Sequence, residues 1–126
     1  MFYILSKQRL RSDHEVLPMP EQTFLKKILA VIETRLGDER FKVVELSREV
    51  GISRSQLHRK LRALQQPSAS ALLRAARLRR AQALLKQTDL AVTEVAYRVG
   101  FRSTAYFAQC FHEDFGMTPT QFRKRP

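Results

Sequence analysis

Apolar positions recur at helical spacing along most of the chain, and nowhere do they alternate with polar ones as in a strand. From Glu21, the stripe Phe24, Leu25, Ile28, Leu29, Ile32 and Leu36 predicts a helix with one buried face, stopped at Gly37. A short helix of about Val43 to Val50 follows, closed by Gly51. Next comes the turn Gly51-Ile52-Ser53, with Ser53 as N-cap of a third helix, Arg54 to about Leu64. That helix has two faces. Leu57, Leu61 and Leu64 lie at i, i+4, i+7 and feed a core, while Ser55, His58, Arg59 and Arg62 share the opposite side. Pro67 breaks the chain, and a long helix is expected over Ala69 to Lys86, capped by Ser68. At 1.5 Å per residue it would span about 27 Å. Before Glu21, Ser12-Asp13-His14-Glu15 and Pro18-Met19-Pro20 interrupt any long pattern, so residues 1–20 are expected to form an arm or linker.

The last third repeats the middle. Leu46-x-x-x-Val50-Gly51-Ile52 matches Val95-x-x-x-Val99-Gly100-Phe101 at an offset of 49, and Leu57-x-x-x-Leu61 matches Phe107-x-x-x-Phe111 at 50. Ser68 matches Thr118, also at 50, so the second turn is one residue longer. Each copy reads as a short helix, a Gly-containing turn and a longer helix with a polar outer face. That is the helix-turn-helix pattern, whose second helix enters the major groove of DNA.

Composition narrows the choice. The 126 residues are 44% hydrophobic and 28% charged, with 4 Gly, 5 Pro and a single cysteine, Cys110. These values exclude disordered, collagen-like and disulfide-scaffold classes. No apolar run approaches the roughly 18–20 residues of a membrane span, and Met1-Phe2-Tyr3-Ile4-Leu5 is too short for a signal-peptide core. A cytoplasmic protein is expected, associated with the nucleoid if it binds DNA.

The net charge is +11, and its distribution is uneven. Residues 1–50 carry 9 basic and 8 acidic side chains, and residues 89–126 carry 5 and 4. Residues 51–88 carry 9 basic and no acidic ones. A merely soluble surface would intersperse both signs, so an acid-free stretch of this length points to a polyanion.

In these motifs the chain resembles the AraC/XylS family of bacterial transcription regulators, over roughly Phe24 to Lys124. The resemblance rests on Ile52-Ser53-Arg54-Ser55-Gln56-Leu57-His58-Arg59-Lys60-Leu61 and on Arg74-x-x-Arg77-Leu78-x-x-Ala81-x-x-Leu84-Leu85. It rests most on the run from Ala96 through Gly100-Phe101-x-Ser103, Tyr106-Phe107, Phe111, Phe115-Gly116-x-Thr118-Pro119 to Phe122-Arg123. It implies an all-α, homeodomain-like tandem helix-turn-helix fold of about seven helices with a long central linker helix. The expected layout of residues 21–126 is a first helix-turn-helix at about 43–64, the linker helix at about 69–86, a second helix-turn-helix at about 92–115 and a C-terminal helix at about 119–124. It also implies two recognition helices reading successive major-groove segments of double-stranded DNA.

Carried over position by position, the resemblance implies base reading by Ser55, His58 and Arg59 in the first unit, and by Thr104, Ala105, Ala108 and Gln109 in the second. The chemistry fits. Arg59 can bond guanine O6 and N7, Gln109 can bond adenine N6 and N7, and the alanines can touch a thymine methyl. Arg54, Lys60, Arg62, Arg74 and Arg102 suit phosphates, as does the N-terminus capped by Thr118. The chain departs from the family at Gln109, His112 and Glu113, where basic residues are common. Its second unit sets Arg98 and Arg102 against Glu94, Glu113 and Asp114, so the first unit and the linker helix are expected to supply most of the affinity. The usual Ser/Thr caps are also replaced, by Lys42 and Ala91.

The family usually joins this domain to a sensory or dimerisation domain, and nothing before Glu21 is long enough to be one. With the arm around Gln8-Arg9-Leu10-Arg11, the chain looks like the output domain of a response regulator or hybrid sensor kinase, with a receiver or sensor domain as its missing partner. A stand-alone small activator is the alternative. Activation would act through contact with RNA polymerase.

Catalysis finds no support in the sequence. His14, His58 and His112 have no zinc-motif spacing with Cys110, and no phosphate-binding Gly-rich loop occurs. No metal or cofactor is expected. Cys110 reads as a buried thiol rather than a redox sensor. Phe101, Phe107, Phe111, Phe115 and Phe122 read as core rather than a base-stacking platform. The rival function is a basic module whose Arg74-to-Arg80 helix binds an acidic protein or a membrane face without preferring any DNA sequence.

Overall fold

The computed structural model describes residues 19–126. The expected arm, with Gln8 to Arg11 and His14, lies outside the described residues except for its last two positions. Seven helices make up the described fold, and no strand occurs among these residues. They are α1 (Met19–Arg35), α2 (Val43–Val50), α3 (Arg54–Ala63), α4 (Ala69–Gln87), α5 (Val92–Arg98), α6 (Thr104–Phe115) and α7 (Pro119–Lys124). The fold is all-α, and none of these helices is long and apolar enough to cross a membrane.

The chain forms two compact units. One runs up to Thr34 and includes Lys42–Leu73; the other combines Arg35–Phe41 with Arg74–Pro126. In the first, Leu25, Ile28, Leu29 and Ile32 of α1 are buried, as are Leu46 of α2, Leu57 and Leu61 of α3, and Leu72 and Leu73 at the start of α4. In the second, the core draws on Leu36 and Phe41, on Leu78, Ala81 and Leu85 of α4, on Val95 and Ala96 of α5, and on α6.

One expected boundary moves. Helix α1 begins at Met19 rather than Glu21, so Pro20 lies inside its first turn instead of breaking it. The first N–H groups of a helix have no intrahelical partner, so proline forfeits nothing there.

The two helix-turn-helix turns share one hydrogen-bond plan, the double bond of a Schellman cap. In the first, Gly51 N–H donates to Arg48 C=O and Ile52 N–H to Ser47 C=O, both at 3.1 Å. In the second, Gly100 N–H donates to Tyr97 C=O at 3.0 Å and Phe101 N–H to Ala96 C=O at 2.9 Å. The internal repeat is thus a repeat of backbone geometry. Each turn delivers the chain to a serine N-cap: Ser53 Oγ accepts Gln56 N–H, and Ser103 Oγ accepts Tyr106 N–H, each at 3.1 Å. Gln56 Oε1 accepts Ser53 N–H in return, at 2.9 Å, completing a capping box that starts α3.

The phenylalanines of the second unit pack on one another. Phe101 meets Phe107 at 5.2 Å between ring centres, Phe107 meets Phe111 edge-on at 5.8 Å, and Phe111 meets Phe115 and Phe122 edge-on at 4.6 and 5.5 Å. Phe107, Phe111 and Cys110 are completely buried. Rings tilted against one another at these distances build a core. Their faces are not stacked open for a nucleobase.

Candidate nucleic-acid interface

Helix α3 is apolar on one side only. Leu57 and Leu61 are buried, whereas Arg54, Ser55, His58, Arg59, Lys60 and Arg62 are exposed. Its positive N-terminus and its four cations stand together, and no carboxylate occurs between Glu49 and Asp89. Among the described residues, Arg54, Arg59 and Arg62 make no ion pair. Lys60 Nζ lies 5.2 Å from the centre of the Phe24 ring, which steadies its aliphatic stem while the residue stays exposed. The face therefore carries uncompensated positive charge beside groups able to donate and accept hydrogen bonds.

The second unit treats its cations differently. Arg74 donates from Nη2 to Glu113 Oε1 and to Asp114 Oδ1, each at 3.0 Å. Burial works against the charge on Arg74, but the charge of Asp114 and the hydrogen bonds to Glu113 and Asp114 outweigh it and raise its pKa above the ordinary value. Arg98 pairs with Glu94 at 2.9 Å and Arg102 with Glu39 at 3.2 Å. On α6, Ala105 and Gln109 are exposed, and Thr104 and Ala108 are half-buried. Gln109 Nε2 donates to Glu113 Oε2 at 3.4 Å. Thr118 Oγ1 accepts Gln121 N–H at 3.1 Å, and Gln121 Oε1 accepts Thr118 N–H at 2.9 Å, so the amides of Thr118 and Gln121 already have partners inside the fold.

Ser55, His58 and Arg59 thus share one exposed face of α3, and Thr104, Ala105, Ala108 and Gln109 belong to α6. Arg74 and Arg102, expected at phosphates, hold carboxylates.

Sequence reasoning missed one arginine of structural weight. Arg77 is half-buried and caps the end of α1. Its Nε donates to Leu36 C=O at 2.9 Å, and its Nη2 donates to Asp38 C=O at 2.9 Å and Phe41 C=O at 2.8 Å. Burial pushes its pKa down from the ordinary value, and the charge of Asp38 partly offsets this. Arg123 does the same for α4, donating from Nε to Leu85 C=O at 3.0 Å and from Nη2 to Thr88 C=O at 3.3 Å. A cation at a helix C-terminus meets orphan carbonyls and the negative end of the dipole together. The signal available in sequence was the spacing of Arg77: it lies four residues from both Leu73 and Ala81, on the buried side of α4.

Comparison with known proteins agrees with this geometry. A helix-turn-helix domain family matches residues 46–125. The transcriptional regulator GbdR of Pseudomonas aeruginosa is 35% identical over 127 aligned positions, covering 97% of this chain and 34% of that protein. A protein of Formosa agariphila named histidine kinase P4 is 33% identical over 105 positions, covering 83% of this chain and 8% of that one. The chain therefore spans about a third of the one relative and under a tenth of the other. Among solved structures, the DNA-binding domain of the global transcriptional factor AdpA, in complex with a target DNA, superposes with a TM-score of 0.72. It is 31% identical over 79% of this chain and 88% of that one. The chain belongs to the AraC-type helix-turn-helix family of DNA-binding transcription regulators.

Proposed function

We propose that this chain is a sequence-specific DNA-binding output domain that places α3 and α6 in successive major-groove segments. The observation that carries the reading is the charge state of α3: its exposed arginines lack acidic partners among the described residues, and Ser55, His58 and Arg59 stand among them. Ser55, His58 and Arg59 read bases in the first unit; Thr104, Ala105, Ala108 and Gln109 do so in the second. Arg54, Lys60, Arg62, Arg102 and the Thr118 turn meet phosphates, with Arg102 exchanging Glu39 for DNA. Arg74 is left out of this set because two carboxylates already hold it.

The work of the domain is binding rather than catalysis, and its place is the cytoplasm, on the nucleoid. An N-terminal receiver or sensor domain supplies the input, a layout supported by the likeness to a small part of a protein named as a histidine kinase. RNA polymerase is the partner through which activation would act.

The rival basic-module reading fits less well. Its four arginines are all engaged within the fold: Arg74 by acids, Arg77 by carbonyls, and Arg79 and Arg80 by further interactions. Missing-base interference on a selected duplex tests the proposal. Two interfering clusters about one helical turn apart are expected; a single cluster, or none, contradicts the two-headed reading.

A further inference from the structure

Among the described residues, the exposed large apolar side chains are Tyr97 and Tyr106, each 53% accessible. Tyr97 lies on α5, whereas Tyr106 lies on α6, the proposed reading helix of the second unit. Ala105 beside it is exposed, and so is Gln109, three positions on from Tyr106 and four from Ala105. Residues three and four apart are neighbours on a helix surface, so Ala105, Tyr106 and Gln109 form one continuous outward face. An aromatic ring therefore stands in water on the face proposed to enter the groove.

The core backs this ring. Its centre lies 6.0 Å from that of Phe101, tilted by 54°, and Phe101 is itself buried. The hydroxyl turns toward its own helix. A hydrogen bond with the Cys110 thiol, one turn on, pushes the Tyr106 pKa up, as donation by the neutral phenol does. Cys110 is completely buried. What α6 offers outward at Tyr106 is therefore mainly ring carbon, and a ring with few rotatable bonds loses little freedom on binding. In the major groove, apolar carbon has one sequence-bearing partner, the C5-methyl group of thymine.

We infer that Tyr106 is a further base-reading residue of α6, selecting thymine by packing its ring against the C5-methyl group. The assignment rests on the reading of α6 as a major-groove helix. It adds an apolar contact to a face whose one amide is Gln109 and whose other proposed readers are small. The rival contact for the same side chain is a phosphate met by the hydroxyl, which carries no sequence information.

The test is selection from a randomised duplex pool by the full chain, followed by a scan of the selected site. Each thymine is replaced in turn by uracil, which differs only in lacking the methyl group. Wild type, Tyr106→Phe and Tyr106→Ala are compared, and helical content by circular dichroism is used to confirm that each is folded. In wild type, uracil at the thymine facing Tyr106 is expected to weaken binding about fourfold, the effect of leaving one methyl group unburied. Tyr106→Phe keeps the ring and is expected to show the same loss at the same thymine. Tyr106→Ala is expected to bind the thymine and uracil duplexes equally there, while any methyl effect that belongs to Ala105 or Ala108 persists. Uracil losses that are the same in Tyr106→Ala as in wild type at every thymine overturn the inference. So does an equal loss of affinity in Tyr106→Phe and Tyr106→Ala on all duplexes alike, which makes the hydroxyl the contact. A site of two enriched segments with no uracil effect also overturns it and leaves α6 a reading helix. If only one segment is enriched, the reading of α6 falls, and this inference falls with it.

Discussion

The guanidinium of Arg77 occupies the space that a side chain on Gly100 would need. A Cβ at Gly100 would come within 2.6 Å of Arg77 Nε and 2.2 Å of Leu36 C=O. Gly100 is thus glycine for two reasons: its φ of +91° disfavours L side chains, and both a backbone carbonyl and the half-buried Arg77 guanidinium approach it. Gly51 and Gly116 also have positive φ, but a Cβ there meets nothing within 4 Å. Alanine at Gly51 or Gly116 is therefore expected to cost about 1–2 kcal/mol, the strain of the conformation alone. Gly100→Ala is expected to cost more than about 3 kcal/mol, because the Arg77 bonds must also yield. Urea unfolding midpoints of the three variants check the ranking; equal losses would contradict it.

Removing Arg77 tests the same contact from its other side. Arg77→Ala strands the carbonyls of Leu36 and Phe41, while Asp38 C=O keeps the Phe41 N–H at 2.9 Å, and is expected to cost about 2–4 kcal/mol. Arg77→Lys supplies a point charge in place of a planar fork and should recover less than half of that. Full recovery by lysine would show that charge alone, not the fork, holds Leu36, Asp38 and Phe41.

The elements of this fold were legible in sequence because its signals are local. Glycines at 51 and 100 mark the turns, serine and threonine the caps, and leucines or phenylalanines at i and i+4 the buried faces. Arg77 escaped because a capping arginine acts on residues about 40 positions away, and no local pattern records which carbonyls it serves. Pro20 misled for the opposite reason: its local rule depends on position within the helix. The exposed set on α3 could be read from helical spacing alone. The pairing of Arg74 with Glu113 and Asp114 could not, because it joins two helices.

The end of α3 carries a correctable strain. Gln65 has a φ of +57°, the only non-glycine residue with positive φ among the described residues. It stands in a Schellman cap, with Gln66 N–H donating to Leu61 C=O at 2.9 Å and Gln65 N–H to Arg62 C=O at 3.0 Å. Gln65→Gly is expected to raise stability by about 0.5–1 kcal/mol, the relief of strain less the added chain entropy of glycine. A lower thermal midpoint would show that the side chain contributes more than its backbone costs.

The start of α2 should respond to acid. Lys42 offers no side-chain oxygen as a cap; instead Glu45 Oε1 accepts Lys42 N–H at 2.9 Å. That bond, followed by the Glu45 backbone N–H, lowers the Glu45 pKa below its ordinary 4.5. A carboxylate depressed on folding contributes stability that is present above its ordinary value and lost as pH falls through its lower folded value. Amide exchange at Lys42 is expected to quicken over that window, and Glu45→Gln should remove the pH dependence. An NMR titration midpoint for Glu45 at or above 4.5 would contradict the capping role.

The central claim is that α3 reads DNA sequence through Arg59. The most direct measurement is competition binding across a randomised duplex pool at two salt concentrations, with wild type and Arg59→Ala. The account predicts an enriched site of two segments about one helical turn apart. In Arg59→Ala that site should relax at one base pair, by about 1–3 kcal/mol of discrimination. Salt-sensitive binding with no enriched sequence, unchanged in Arg59→Ala, would contradict it.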